Sequence, residues 1–213
     1  MAKKKAKFKV VYNAPVTLTF AIWAVIVLAV NQFVAAELIP SLFTVPGKIG
    51  SEMAFRWSNP LDYVRLFTHV LGHDDWSHLL GNMSFILLLG PLLEERYGSP
   101  VLALMMSITA LVTGVVNVCF FSRPMVGASG IAFMMILLSS FTAISKKQIP
   151  LTFLLVLILY VGRELAIGIH SENGACVAHL VGGFCGSLFG FLAAHSPNTQ
   201  GKKKSSQGEN SGE

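Results

Sequence analysis

The chain has 213 residues, 53% of them hydrophobic and only 13% charged, with a mean hydropathy of +0.62 and a formal charge of +5. That composition is too apolar for an ordinary soluble domain and points to a membrane protein. The excess of positive charge does not read as a nucleic-acid footprint, because the basic residues stand in short clusters beside apolar runs, where anionic lipid headgroups are the nearer partner.

In chain order, residues 1–15 carry Lys3, Lys4, Lys5, Lys7 and Lys9 and read as a basic cytoplasmic tail. The first apolar run, Val16 to Ala36, has the length of a bilayer span and no clear small-residue cleavage site, so it reads as a permanent anchor. The stretch from Glu37 to Ser77 holds Trp57, Trp76, an Asn59-Pro60 turn signal and several aliphatics, and predicts a partly helical hairpin lying at the headgroup level. Five further runs follow: His78 to Leu93, Val101 to Phe121, Gly127 to Ile144, Ile149 to Leu165 and Ala175 to Ala194. Each is long enough, or nearly so, to cross a hydrocarbon core of roughly 30 Å as a helix. The prediction is an all-α, polytopic bundle of six transmembrane helices over residues 16–196, followed by a disordered cytoplasmic tail over 197–213.

Lys and Arg counts set the orientation. With the N-terminus cytoplasmic, that side collects the five N-terminal lysines, Arg96, Lys146, Lys147 and Lys202, Lys203 and Lys204. The other side holds Lys48, Arg56, Arg65 and Arg123, with Arg163 near the end of the fifth run. The asymmetry favours both termini inside, which requires an even number of spans. Cys119, Cys176 and Cys185 lack metal-ligand spacing and read as buried reduced thiols, and no metal or cofactor is expected. There is no internal repeat, heptad pattern or Gly-rich phosphate loop to support a solenoid, a coiled coil or a nucleotide-binding fold.

Polar side chains inside apolar spans are costly, so each is a functional candidate. The second run opens with His78 and Asn82, which at i, i+4 share one helical face. The fourth opens with Gly127-Ala128-Ser129-Gly130, and the sixth carries Ala178-His179. These supply a hydroxyl nucleophile, an imidazole base and donors for an oxyanion, which are the parts needed for acyl transfer. Gly174, Ala178, Gly182, Gly186 and Gly190 recur every fourth residue, a small-residue stripe that lets two membrane helices approach closely. A neighbour starting at Ser129, flanked by Gly127 and Gly130, would then bring its hydroxyl to the His179 ring. Taken alone, His78 with Asn82 suits structure as well as function. Ser84, Ser139, Ser140 and Ser187 read as hydroxyls bonding back to their own helix, and Asn31 and Gln32 as interfacial or interhelical hydrogen bonders. His69, His170 and His195 read as surface or snorkelling histidines. A transporter or channel would place its polar residues at midplane on broken helices, whereas here they concentrate toward one leaflet.

His78 to Asn82, Gly127-Ala128-Ser129-Gly130 and Ala178-His179-Leu180-Val181-Gly182 followed by Gly186 resemble, in motif and in order, the rhomboid family. The resemblance extends from about Arg65 to about Gly190, with His73 and Glu94-Glu95-Arg96-Tyr97-Gly98 also similar to bacterial members of the six-span form. Val64-Arg65 stands where the family often has Trp-Arg, and Val126 where it often has Gly. The resemblance implies an intramembrane serine endopeptidase in the cell membrane, its site opening to the outer side. Ser129 would be the nucleophile and His179 the general base and acid. The Ser129 N–H with His78 and Asn82 would form the oxyanion hole, and Phe133 would pack on the imidazole. Gly127, Gly130, Ala178 and Gly182 would support the site. The implied partners are the lipid bilayer and single-span membrane proteins cut near the outer end of their helix. The alternative is an inactive relative that binds membrane clients without cutting them.

Overall fold

The computed structural model describes residues 11–141, 151, 154–155, 158–159, 162 and 174–194. The elements among them are α1 (Pro15–Phe33), α2 (Leu38–Leu42), α3 (Pro60–Thr68), a 3-10 turn (His69–Leu71), α4 (Trp76–Tyr97), α5 (Ser99–Phe120), α6 (Ser129–Phe141) and α7 (Gly174–Ala194). Three of these helices, α1, α4 and α5, are long and apolar enough to cross a membrane, and α6 and the Val177–Gly190 part of α7 are shorter apolar helices. The architecture is the expected all-α membrane bundle. The fifth predicted run, Ile149 to Leu165, lies outside the described residues except for isolated helical positions, and both predicted tails lie outside them apart from residues 11–15.

Local chemistry sets the helix ends. Pro15 starts α1 at a position where its missing N–H costs nothing. Asp75 caps α4, its carboxylate accepting from the His78 N–H at 2.8 Å. The helix therefore begins two residues before the predicted apolar run and continues past it to Tyr97. Gly98, at φ +85°, ends it in a conformation other residues resist, and Pro100 stands at the start of α5.

Every residue of α6 from Gly130 to Leu138 is buried, so α6 is the central helix, with α4, α5 and α7 packed around it. The outer helices instead turn large apolar side chains outward, such as Leu88 at 67% exposed and Phe184 at 68%. A bilayer rather than water suits that surface. At one end of the bundle Glu94, itself buried, accepts from the Val16 N–H at 2.9 Å, the Thr17 N–H at 3.0 Å, the Thr17 hydroxyl at 2.9 Å and the Ser99 hydroxyl at 2.7 Å. One carboxylate thereby satisfies free N–H groups of α1 and joins it to α4 and α5.

At the other end, the long connection between α1 and α4 is partly helical, as its composition suggests, and is held by polar bonds. Buried Asp62 pairs with Arg65 at 2.6 Å and accepts from the Arg56 N–H and the Asn59 amide, each at 2.9 Å. Arg65 reaches back to the Ser41 carbonyl. Val45 and Met125 exchange backbone hydrogen bonds at 2.9 and 3.0 Å, which ties the connection to the segment leading into α6. Asn31 accepts from the Ile39 N–H and Gln32 from the Trp76 indole, so both act as hydrogen bonders between segments. Ser84, Ser139 and Ser140 bond back to the carbonyls of Leu80 and Ile136. Two expectations need correction. Cys119 is exposed, because it lies on the outward face of α5, whereas Cys185 is buried and free. His69 is a fully buried histidine, because the 3-10 turn carries it inward against α5.

Candidate active site

Glycine decides how α6 meets α7. A Cβ on Gly182 would lie 2.8 Å from the Gly130 carbonyl carbon and nearer still to its oxygen, and one on Gly186 would lie 3.0 Å from the Met134 carbonyl carbon. From the other side, a Cβ on Gly130 would lie 3.3 Å from the Ala178 carbonyl oxygen. The two backbones are in contact because the stripe on α7 carries no side chains there. In that register Phe133 stacks on the His179 ring, with centroids 4.5 Å apart and planes 3° from parallel. Ser129, at the first position of α6, stands one turn from Phe133 on the same face and next to Gly130. The structure therefore brings the α6 segment bearing Ser129 against the α7 segment bearing His179.

The third predicted pair arrives from α4. Gly127 has φ +121°, and a Cβ there would lie 2.7 Å from Cε1 and 2.8 Å from Nε2 of His78, and 3.8 Å from the Asn82 amide nitrogen. Glycine is required here both for the backbone angle and for the space. The Asn82 amide is buried and has no hydrogen-bond partner among the described residues, so a donor is held ready beside the backbone that leads to Ser129. As the first residue of a helix, Ser129 also has an N–H without an intrahelical acceptor. A hydroxyl, an imidazole and several convergent N–H donors at one end of a membrane bundle can together carry out acyl transfer.

Sequence reasoning passed over three contributors. His69 uses its backbone carbonyl to accept from the Gly127 N–H at 3.0 Å and its ring to meet the Arg65 carbonyl at 3.2 Å and the Thr113 hydroxyl at 3.4 Å. Its burial lowers its pKa from 6.5 to about 4, so it is neutral near neutral pH. Thr113, fully inside α5, packs its methyl toward Gly130. Thr109, Thr113 and Asn117 recur every fourth residue in a largely apolar helix, a polar stripe that was available to find them. The third is Asp74, whose carboxylate lies 3.3 Å from His78 Nδ1. His73 is fully buried with its ring 5.1 Å from that of His78, and neither of its nitrogens has a partner among the described residues. Among the described residues no cluster of His, Cys, Asp and Glu could hold a metal ion.

No curated protein sequence matches the chain. The family model for the rhomboid domain matches residues 60–196, which is more than half of the chain and contains every residue of the constellation just described. The chain belongs to the rhomboid family.

Proposed function

We propose that this rhomboid protein is an intramembrane serine endopeptidase whose catalytic dyad is Ser129 and His179. The Ser129 hydroxyl oxygen attacks the scissile carbonyl carbon while His179 takes its proton. The oxyanion formed accepts hydrogen bonds from the Ser129 N–H, His78 and the Asn82 amide. On collapse the C–N bond breaks, His179 returns the proton to the leaving amine, and an acyl ester remains on Ser129. Water, deprotonated by His179, then hydrolyses the ester and restores the hydroxyl.

The observation that carries this reading is the backbone contact of Gly182 with Gly130, because it fixes the register in which Phe133 lies flat on the His179 ring one turn from Ser129. The substrate class follows from the setting. A peptide bond within a hydrogen-bonded helix hides its carbonyl, so the natural targets are single-span proteins whose helix unwinds near its outer end. Both termini lie on the cytoplasmic side and the site opens outward, in keeping with the lysine-rich ends. Residues 1–15 and 197–213 are tails flanking a membrane domain over 16–196, whose outer connection lies at the headgroup level.

Cleavage of a model single-span substrate in proteoliposomes tests the proposal, with a fluorophosphonate probe reporting on the nucleophile. Wild-type protein is expected to cleave and to be labelled. Ser129→Ala should lose both signals, and His179→Ala should lose cleavage. A folded wild type that is neither labelled nor active would favour an inactive relative that only binds membrane clients.

A further inference from the structure

His78 meets two different partners through the two edges of its ring. The Nε2 edge faces Gly127 and the backbone that leads to Ser129. The other nitrogen, Nδ1, lies 3.3 Å from the Asp74 carboxylate, four residues earlier. A carboxylate can only accept, so this contact is a hydrogen bond only when Nδ1 carries the proton. A neutral imidazole has a single N–H. While Asp74 holds that proton at Nδ1, Nε2 is an acceptor and has nothing to offer an oxyanion. Only the imidazolium can satisfy Asp74 and donate from Nε2 at once.

Building on the dyad and oxyanion hole proposed above, we propose that Asp74 is a positioning residue which commits His78 Nδ1–H to itself. His78 then serves the oxyanion in its imidazolium form, and cleavage acquires an alkaline limit that depends on Asp74. The surroundings are arranged for this division of labour. Asp75, the other adjacent acid, spends its carboxylate on the His78 backbone N–H rather than on the ring. The hydrogen bond to His78 holds the Asp74 carboxyl below the ordinary carboxylate range, so it is ionised throughout the working pH range. Burial, reinforced by His78 itself, lowers the pKa of His73 to about 4, so the ring beside His78 stays neutral and does not compete for the charge. A further ionisable group, His179, is carried by α7 and stacks on Phe133.

The test is the pH profile of kcat/KM for cleavage of a single-span substrate across roughly pH 6 to 10, with probe labelling of Ser129 at each pH. Wild-type activity should fall on the alkaline side, by about tenfold per pH unit at the limit. In Asp74→Ala the neutral ring is free to carry its proton on Nε2, so the alkaline limb should flatten. Asp74→Glu should restore the limb. Asp75→Asn, which keeps an equally good helix cap, should leave it where it is in the wild type. The Asp74 carboxylate is mostly exposed, so none of these changes threatens the fold. A wild-type profile with no alkaline limb, or an alanine variant whose limb stays in place or moves to lower pH with an intact Ser129 label, would overturn the role of Asp74 and leave the dyad standing. Persistent cleavage by Ser129→Ala would instead remove the dyad on which the proposal rests.

Discussion

At the scale of single residues, Phe133 and His69 make distinct contacts whose consequences separate experiments can read. Phe133 stacks nearly parallel on His179, with centroids 4.5 Å apart, and such a pair is worth about 0.5–1.5 kcal/mol beyond the area it buries. If that energy is spent on holding the base in its working orientation, Phe133→Ala should lower kcat by about tenfold with little change in KM, and Phe133→Tyr should restore it. Steady-state cleavage kinetics would show this, and an unchanged kcat in the alanine variant would remove the orienting role. His69 makes its prediction through stability. Its pKa is about 4 in the folded protein and 6.5 when exposed, so between those values the unfolded chain takes up a proton that the folded chain refuses. The contribution is complete above about pH 6.5 and is lost as the pH falls toward 4. His73 acts with the same sign over the same window. The unfolding midpoint in detergent should therefore drop as the pH falls through this range, each ring contributing up to about 1.4 kcal/mol per pH unit. His69→Gln should make that drop shallower, leaving the part due to His73. A slope unchanged by the substitution would show that His69 titrates normally.

At the scale of elements, the approach of α6 and α7 can be tested with two adjacent glycines that face different surroundings. Gly182→Ala would drive a methyl into the Gly130 peptide, which has no flexible end to move aside, whereas Gly183→Ala would place one 3.6 Å from Leu137 Cγ, at ordinary contact distance. The first should destabilise the protein by about 3 kcal/mol or more and abolish cleavage, because the helices must separate and carry Ser129 away from His179. The second should be close to neutral in both respects. Thermal unfolding and cleavage of the pair measure the contrast, and equal tolerance of both substitutions would mean that the helices do not touch at Gly130. This interface was legible in the sequence because a repeat of four in small residues is a local pattern with one geometric meaning. His78 and Asn82 were legible for the same reason. What could not be read were features made by long-range bonds. The buried position of His69 depends on a turn that places its carbonyl on Gly127 and its ring on Thr113, forty-four residues away. The shape of the connection between α1 and α4 depends on Asp62, Arg65 and the Val45–Met125 bridge, none of which has a periodicity to betray it. Helix ends shifted by a few residues because caps such as Asp75 and Gly98, rather than the edges of the apolar runs, set them. Cys119 was misplaced because hydropathy alone does not distinguish the bundle-facing side of α5 from its outward side.

At the scale of the whole molecule, α4 joins two ends with different duties. His78 and Asn82 lie in its opening turns beside the proposed site, while Glu94 lies sixteen residues after His78, about 24 Å further along the helix, at the end where α1, α4 and α5 are tied together. Glu94 is 5% exposed and answers four donors, so its removal leaves N–H and hydroxyl groups unsatisfied in a place water reaches poorly. Close packing adds to the effect, because a Cβ on Gly90 would lie 3.1 Å from Thr17 Cβ, so α1 has no freedom to slide in search of new partners. Glu94→Ala should therefore destabilise the protein by about 3–5 kcal/mol, and Glu94→Gln by about 1–3 kcal/mol because the amide keeps one good acceptor. Unfolding in detergent gives the size of the loss. Its separation from the chemistry is shown by cleavage measured well below the unfolding transition, where both variants should keep kcat and the pH profile of the wild type. A shift of that profile in Glu94→Gln would mean that α4 transmits strain from one end to the other. An unaltered profile with a lowered midpoint would mean that the bundle is held together at one end and does its work at the other.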